Sequence, residues 1–284
     1  MRLSVVIPVL GQPDLARVCI DLALQNRVVT DTEVIVVDNG ADLFLEGDKY
    51  RDVITFVPDH NLGVYPVFPF GFEVAKGDVV LFIHSDLLIV EKGYDNTILE
   101  AFERDSKLGL VGFVGSDEID SIGGRGAGTT SNFQGRQYTG VDKMWIGSPA
   151  RAHGKTNPGL TNAAVVDGCA MAIRRSSWET IGYREDFPPH HFYDRLISTQ
   201  MLEAGLKVGV LGIACDHISG QTVNSERGYH NLAKEYSEAH IPQDKWVGNP
   251  PDYAWDQTVY QEAERRWLKE YRDQKHLIPI KVKQ

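Results

Sequence analysis

Short apolar runs alternate with amphipathic segments along the first 112 residues of the chain. The strand-like runs are 3–8, 33–37, 53–57 and 79–83. Such runs, without a polar break, are typical of strands buried on both faces of a sheet. Between them, apolar residues recur at helical spacing, as in Leu15, Val18, Cys19 and Leu22. Strands and helices joined by short links predict an α/β fold, with a Rossmann-like, mostly parallel central sheet covered by helices on both faces.

The remaining elements follow from the same patterns. Pro13 and Asp14 suit the first turn of a helix, and Gly205 suits a helix C-terminus. The predicted helices are one that opens at 12–14, then 68–75, 94–104, 177–181 and 193–204. Further strands are predicted at 165–173 and 207–214. These elements continue the α/β pattern to about residue 222.

Three of the predicted strands end in polar or turn-forming residues. The run 79–83 ends abruptly in His84, Ser85 and Asp86, and the other two strand ends are Pro8-Val9 and Asp38-Asn39. In open α/β sheets the ligand binds just beyond the carboxyl ends of the strands. We therefore expect these residues to lie at one edge of the sheet and to form a binding site.

Two carboxylates at this edge have both a functional and a structural interpretation. Asp86 supplies oxygen ligands that, with a diphosphate, suit Mg²⁺ or Mn²⁺; the alternative is a helix cap or loop carboxylate. Asp38 is placed to accept hydrogen bonds from a ribose or a base. Its alternative is a turn with Asn39-Gly40, with which binding is compatible.

The chain changes character twice after residue 112. Residues 115–162 are rich in Gly, Ser, Thr, Asn and Arg, which predicts a mobile insertion near the site, with a loop of no function as the alternative. From about residue 226 the sequence is amphipathic and helical, with aromatic residues at helical spacing. We expect a catalytic domain at 1–222 and a helical C-terminal extension at 223–284. The aromatic residues of this tail are expected to pack on the protein's own core, and a homodimer through these helices is the alternative.

Composition excludes several classes of protein. The net charge of −10 argues against a nucleic-acid partner, which requires clustered positive charge. There is no apolar run of the length that a transmembrane segment needs, and the N-terminus enters a strand at once, so we expect a cytoplasmic protein. Cys19, Cys169 and Cys215 are far apart among apolar neighbours, which favours buried, reduced thiols. His190-His191 does not indicate zinc, because adjacent histidines point apart.

Several ordered pieces of the sequence resemble the family 2 glycosyltransferases of GT-A fold. The pieces are Ser4-Val5-Val6-Ile7-Pro8-Val9, Val36-Val37-Asp38-Asn39-Gly40, Asn61-Leu62-Gly63, Ala75-Lys76-Gly77-Asp78, His84-Ser85-Asp86 and the strand from Val166 to Arg175. Each piece is weak, but the ordered set is fairly specific. The resemblance covers about 3–112 and 165–222, and implies an inverting enzyme that uses a nucleoside diphosphate sugar and a divalent cation.

The resemblance also implies roles for particular residues. The nucleotide-sugar contacts would be Pro8, Val9, Asp38, Asn61, Gly63, His84, Ser85 and Asp86. Asp167 and Gly168 would line the acceptor pocket, and Asp86 with His217 would hold the cation, although a lone histidine also has a structural interpretation. Asp194 would be the catalytic base.

The base has a physical case of its own. Asp194 falls in the first turn of a predicted helix, where backbone N–H groups and the helix dipole keep a carboxylate ionised. An ionised carboxylate can accept a proton from an attacking hydroxyl, although a plain capping role is the alternative.

The chain departs from the family pattern at three positions. His84 stands where an aspartate or asparagine is usual, Tyr193 replaces the usual glutamate, and Leu196 replaces a frequent second aspartate. Metal affinity is expected to be weaker, or else His84 contacts the nucleotide.

Sugar transfer to an acceptor hydroxyl, on a glycan, is the function that the sequence favours. A non-catalytic carbohydrate- or nucleotide-binding protein of the same fold is the alternative, because the metal and base motifs are altered. A sugar nucleotidyltransferase is less favoured, because no basic residue lies in the segment 9–14 that follows the first strand.

Overall fold

The computed structural model describes residues 1–117, 159–187 and 192–217, apart from Gln12 and Asp42. It also describes the backbone of three short strands between 129 and 149, and a single helical position at Arg265. His190, His191 and almost all of the predicted C-terminal helices therefore lie outside the described residues. Within the described residues, no helix is long and apolar enough to span a bilayer.

Five α-helices, a short 3-10 helix at Asp48–Tyr50 and fifteen strands are found in the described residues. The strands are β1 Leu3–Val9, β2 Glu33–Asp38, β3 Val53–Phe56, β4 Val79–Ile83, β5 Leu87–Ile89, β6 Leu108–Gly112, β7 Val114–Ser116, β8 Thr129–Ser131, β9 Arg136–Tyr138, β10 Gly147–Pro149, β11 Leu160–Ala163, β12 Val165–Val166, β13 Ala170–Arg174, β14 Lys207–Leu211 and β15 Cys215–His217. The helices are α1 Pro13–Asn26, α2 Val67–Val74, α3 Tyr94–Arg104, α4 Arg175–Ile181 and α5 Tyr193–Glu203.

The central sheet has eight strands in the order β11-β14-β6-β13-β4-β1-β2-β3. The β3-β2-β1-β4 half is parallel throughout, and β14 also runs parallel to β6. Strand β13 runs antiparallel between β4 and β6, and β11 runs antiparallel to β14. This mostly parallel sheet confirms the α/β prediction.

Helices cover both faces of this sheet, as the unbroken apolar strands require. One buried cluster contains α1 and α3 side chains such as Ile20 and Phe102, together with alternate residues of β1 and β4. The other cluster contains α2, α4 and α5 side chains, among them Phe68, Trp178 and Ile197. The site at the sheet edge therefore rests on a rigid three-layer core.

The segment 115–162 contains short strands that its composition did not predict. Strand β7 pairs with both β8 and β12, and β9 pairs with β10. The sequence had also indicated that β1 ends at Pro8, whereas the strand continues to Val9. The mobility predicted for 115–162 stays a prediction.

Two consecutive arginines tie helices on opposite faces to the sheet. Arg175 donates hydrogen bonds to the carbonyls of Phe72, Ala75 and Gly77, at the end of α2 and just after it, at 2.6, 2.6 and 3.0 Å. Arg174 donates to the carbonyl of Phe102 near the end of α3 at 2.6 Å, and to those of Asp105 and Leu108 beyond it at 3.1 Å each. Helix-terminal carbonyls lack partners within the helix, so these guanidinium groups satisfy them.

Replacing Arg175 by methionine should lower the free energy of unfolding by about 2–4 kcal/mol, because three partly buried carbonyls lose a charged donor. Urea denaturation measures this change. The matched control is Arg104→Met, since Arg104 is largely exposed and pairs only within its helix with Glu100; its effect should stay below about 0.5 kcal/mol. Equal effects of the two substitutions would contradict the capping role of Arg175.

Candidate active site

Strand direction brings four distant segments to one edge of the sheet. The carboxyl ends of β1, β2 and β4 share this edge because the three strands are parallel neighbours. Strand β13 is antiparallel, so it begins there, with Ala170 opposite Ile83. The His84 backbone N–H donates to the carbonyl of Cys169 at 3.0 Å. Asp167 and Gly168 therefore lie next to the segment 84–86.

His217 reaches the same edge through a small second sheet. Strand β15 pairs antiparallel with β5, which places His217 opposite Leu87, the residue after Asp86. The Nε2 atom of His217 lies 3.5 Å from Oδ1 of Asp86, and Nδ1 of His84 lies 4.0 Å from the same oxygen. One ligand atom from each of the three residues lies within 4.8 Å of the others. Sequence reasoning had paired Asp86 with His217 and had assigned His84 to the nucleotide.

The Oδ1 atom of Asp86 is buried and accepts no hydrogen bond from the described residues. A buried carboxylate oxygen without a hydrogen bond is costly and requires an explanation. Burial alone would raise the pKa of Asp86, but the His217 and His84 imidazoles outweigh it and lower the pKa below its ordinary value. An ionised oxygen facing two imidazoles is a donor set that fits a divalent transition-metal ion.

Tyr193 is hydrogen bonded to the other ring nitrogen of His84. The Tyr193 hydroxyl lies 2.8 Å from Nε2 of His84, and it donates to the carbonyl of Gly168 at 3.4 Å. A Cβ atom at position 168 would overlap this hydroxyl, which explains why a glycine stands there. Burial lowers the pKa of His84 and raises the pKa of Tyr193.

Asp194 lies in the first turn of α5, with only 9% of its surface exposed. Its Oδ1 accepts the Arg195 backbone N–H at 2.8 Å and faces the Arg195 guanidinium at 3.2 Å. The residue before the helix, Phe192, has a φ of 62°, in the left-handed region that non-glycine residues rarely adopt. Backbone strain of this kind clusters at functional sites.

The charged groups of the site share one neighbourhood. The pKa of His84 is lowered chiefly by burial, and the charges of Asp86, His217, Asp167 and Asp194 also act on it. The Tyr193–His84 contact also brings the first residue of α5, next to Asp194, to the turn that holds Asp86. The roles of Asp194 as base and of Asp86 and His217 as cation ligands stay predictions.

The predicted nucleoside end of the site is built from turns. The Asp38 carboxylate accepts the N–H groups of Gly40, Ala41 and Leu43 at 3.1, 2.6 and 2.7 Å. This turn is the structural interpretation of Asp38, the alternative to a role in binding. Its role in nucleoside binding stays a prediction.

Asn39 connects the β1 end to the 61–63 loop. Its backbone N–H donates to the carbonyl of Val9 at 2.8 Å, and its side-chain amide donates to the carbonyl of Gly63 at 3.2 Å. Asn61 accepts the N–H of Gly63 at 2.9 Å, in a turn that requires the glycine φ of 83°. Pro8 and Val9 end β1 beside Val37 and Asp38. Ser85 lies in the turn between β4 and β5.

Sequence reasoning missed two interactions of the site. It treated Tyr193 only as a departure from the family pattern, whereas the hydroxyl contacts His84, the other altered position. It also gave no role to Arg195, which pairs with Asp194. Two unusual residues in motifs that share a site were the available signal for the first interaction. For the Asp194–Arg195 pair, the only signal in the sequence was that the two residues are neighbours.

Comparison with solved structures identifies the fold. The chain resembles the mannosyltransferase PcManGT from Pyrobaculum calidifontis, solved with GDP-Man and Mn²⁺, with a TM-score of 0.51 and 13% identity over 96% of this chain and 75% of that one. It also resembles GalNAc-T7, solved with UDP, GalNAc and Mn²⁺, with a TM-score of 0.52 and 14% identity over 99% of this chain and 58% of that one. This confirms the predicted GT-A-type fold.

Sequence comparison gives a more specific relationship. The undecaprenyl-phosphate 4-deoxy-4-formamido-L-arabinose transferase of Pectobacterium atrosepticum is 29% identical over 161 residues, which are 54% of this chain and 48% of that protein. The chain thus matches about half the length of this curated relative. The corresponding enzyme of Pectobacterium carotovorum matches to the same extent.

The family model described as "Glycosyltransferase like family" matches residues 71–246, which is more than half of the chain. The match includes His84, Asp86, Asp194 and His217. The match favours a glycosyltransferase over the alternative of a sugar nucleotidyltransferase. On this match, and with the fold of solved glycosyltransferases, the chain belongs to this glycosyltransferase-like family.

Proposed function

We propose that the protein transfers a sugar from a nucleoside diphosphate sugar to an acceptor hydroxyl on a glycan, with inversion of the anomeric centre. The observation that carries the proposal is the buried, unbonded Oδ1 of Asp86, facing His217 at the carboxyl edge of the sheet. A diphosphate bridged to a cation is a ligand that such an oxygen fits. Family membership supplies the reaction class.

Asp86 and His217 would hold the divalent cation, Mn²⁺ or Mg²⁺. When bound, the cation supplies neutralisation of the charge that develops on the departing diphosphate. The chain itself orients the two ligands, because Asp86 closely follows β4 and His217 ends β15, two strands far apart in the sequence. Ser85 and His84 lie beside the same phosphates.

The nucleoside would bind at the ends of β1 and β2. Pro8, Val9 and Asp38 form its floor, and the Asn61–Gly63 turn is joined to them through Asn39. The Asp38 carboxylate is held rigidly by hydrogen bonds from three backbone N–H groups. A rigid carboxylate can accept hydrogen bonds from a ribose without further loss of entropy.

Asp194 would take the proton from the attacking hydroxyl, with Asp167 and Gly168 next to the acceptor. The Asp194 carboxylate accepts the Arg195 backbone N–H and faces the Arg195 guanidinium, and it lies two residues after the strained Phe192. A single attack opposite the leaving group inverts the anomeric centre. A second carboxylate in the role of nucleophile is not required.

A phosphate acceptor is the second candidate. The curated relatives are named for undecaprenyl phosphate. A phosphate oxygen is ionised at neutral pH and needs no base. The two acceptors therefore differ in their requirement for Asp194.

Asp194→Asn should lower the rate of sugar transfer to a hydroxyl by about 10²–10⁴-fold, because asparagine cannot accept the proton. Release of UDP or GDP would be followed across a panel of UDP- and GDP-sugars, with free sugars and undecaprenyl phosphate as acceptors. Nucleotide affinity should stay within about twofold, since Asp194 contacts neither the cation ligands nor Asp38.

The matched control is Asp14→Asn, because Asp14 also lies in the first turn of a helix and pairs with an arginine, Arg17. Its turnover should equal that of the unmodified protein. Full activity of Asp194→Asn on hydroxyl acceptors would remove Asp194 from the role of base. Full activity confined to undecaprenyl phosphate would favour the phosphate acceptor.

Asp86→Asn should abolish the stabilisation that Mn²⁺ and a nucleoside diphosphate together give the protein, because the anionic ligand is lost. At 100 times its dissociation constant a ligand stabilises the folded state by about 2.7 kcal/mol, which a thermal-shift assay detects. Asp105→Asn serves as the control, since Asp105 pairs with Lys207 at an exposed position. An unchanged thermal shift for Asp86→Asn would exclude Asp86 from the cation site.

A further inference from the structure

The His84–Tyr193 hydrogen bond has no role in the function proposed above. It joins the turn after β4 to the first residue of α5, across 109 positions of the chain. These are also two of the three positions at which the sequence departs from the pattern of the family it resembles. Their direct contact indicates that the two side chains act together.

The hydrogen bonds of Tyr193 suit a proton on Nε2 of His84. Nε2 lies 2.8 Å from the Tyr193 hydroxyl, and the carbonyl of Gly168 lies 3.4 Å from the same hydroxyl. When Nε2 carries the proton, it donates to the hydroxyl, which donates its own hydrogen to the Gly168 carbonyl, so all three groups are paired. This tautomer leaves the lone pair of Nδ1 available to a metal ion.

The lone pair of Nδ1 belongs to the nitrogen that faces the cation ligands. Nδ1 lies 4.0 Å from Oδ1 of Asp86, which in turn lies 3.5 Å from Nε2 of His217. Ligands about 2.1 Å from one ion lie about 3.0–4.2 Å from each other, depending on the angle between them. These two distances fall within that range, and one ligand atom from each of the three residues lies within 4.8 Å of the others, so a modest movement of the histidines would bring all three onto one ion.

We propose that Tyr193 is a positioning residue that holds His84 as a third protein ligand of the cation, so that the site prefers a transition-metal ion such as Mn²⁺ or Co²⁺ to Mg²⁺. The proposal rests on the cation site of the proposed function. It adds a ligand, the residue that orients it, and a preference among metals. Residues that hold a ligating histidine through its second nitrogen fix its tautomer and its orientation.

Tyr193 is rigid enough for this role. Its ring is buried, and it packs against Tyr65 and Phe68 with centroid distances of 6.4 and 5.7 Å. Gly168 leaves space for the hydroxyl and no more, since a Cβ atom there would overlap it. The packed ring and Gly168, which lies just before β13, thus restrict the movement of the Tyr193 hydroxyl.

The donor set determines the metal preference. Asp86 contributes one oxygen, and His84 with His217 contributes two imidazole nitrogens. Mg²⁺ binds oxygen ligands and retains several waters, whereas imidazole suits the later divalent metals. An aspartate at position 84 would instead give two carboxylates, a set that suits Mg²⁺.

The test uses the full chain with metal alone. Binding of Mn²⁺ is measured by the loss of the free-ion electron paramagnetic resonance signal, and Mg²⁺ is then added as a competitor. Tyr193→Phe should weaken Mn²⁺ binding by about 10–100-fold, because the ring remains but His84 is no longer oriented. Electron spin echo modulation from nitrogen should fall from two imidazoles to one in the Mn²⁺-loaded variant.

Two further variants make the result specific. Tyr94→Phe is the matched control, since the buried Tyr94 hydroxyl bonds the carbonyl of Ala23 on the opposite face of the sheet. It should leave Mn²⁺ affinity unchanged. His84→Asp should reduce the preference for Mn²⁺ over Mg²⁺ by about tenfold or more.

The proposal is overturned if Tyr193→Phe binds Mn²⁺ like the unmodified protein, if His84→Asp keeps the same metal preference, or if the unmodified protein binds no Mn²⁺. A fall in melting temperature equal for Tyr193→Phe and Tyr94→Phe, with Mn²⁺ binding intact, would show a purely structural role. Because no sugar nucleotide is present, these outcomes are independent of donor binding. Metal binding as expected without any sugar-nucleotide turnover would instead contradict the proposed function.

Discussion

A single buried oxygen, Oδ1 of Asp86, imposes the strongest constraint on this structure. It lies in the turn between β4 and β5, it accepts no hydrogen bond from the described residues, and two imidazoles face it. Leaving a carboxylate oxygen buried in this way costs several kcal/mol unless a cation or a partner offsets the cost. The imidazoles of His217 and His84 supply part of this offset, and in the proposed function a bound cation supplies the rest.

The topology of the sheet explains how so many distant residues reach the same edge of the sheet as this oxygen. Parallel β1, β2 and β4 bring Val9, Asp38 and His84 to one edge, and the reversed strand β13 begins at the same edge. The small β5–β15 pairing then adds His217, and α5 adds Tyr193 and Asp194. The rigid core on both faces fixes these positions, which is what a catalytic constellation requires.

Much of this arrangement could be predicted from the sequence, because unbroken apolar strands and their polar ends are local signals. Helix α3 was predicted with its exact bounds, and α5 to within one residue. Strands β5 and β15 were not predicted, since runs of three residues that pair only with each other have no periodicity of their own. The His84–Tyr193 bond was beyond reach for the same reason: it depends on tertiary contact between two segments, and each residue alone looks like the loss of a motif. The three short strands of the segment 115–162 were not predicted either, because they have only three residues each and the segment is rich in glycine and polar residues.

In the proposed function, Asp86 and its histidines hold a cation through which the protein binds a nucleoside diphosphate. A crystal grown with Mn²⁺ and UDP or GDP, measured at the manganese absorption edge, would reveal that cation. One anomalous peak is expected about 2.1–2.3 Å from Oδ1 of Asp86 and Nε2 of His217, next to the diphosphate. A nucleotide bound elsewhere, or bound at this edge with no metal peak beside Asp86, would contradict it.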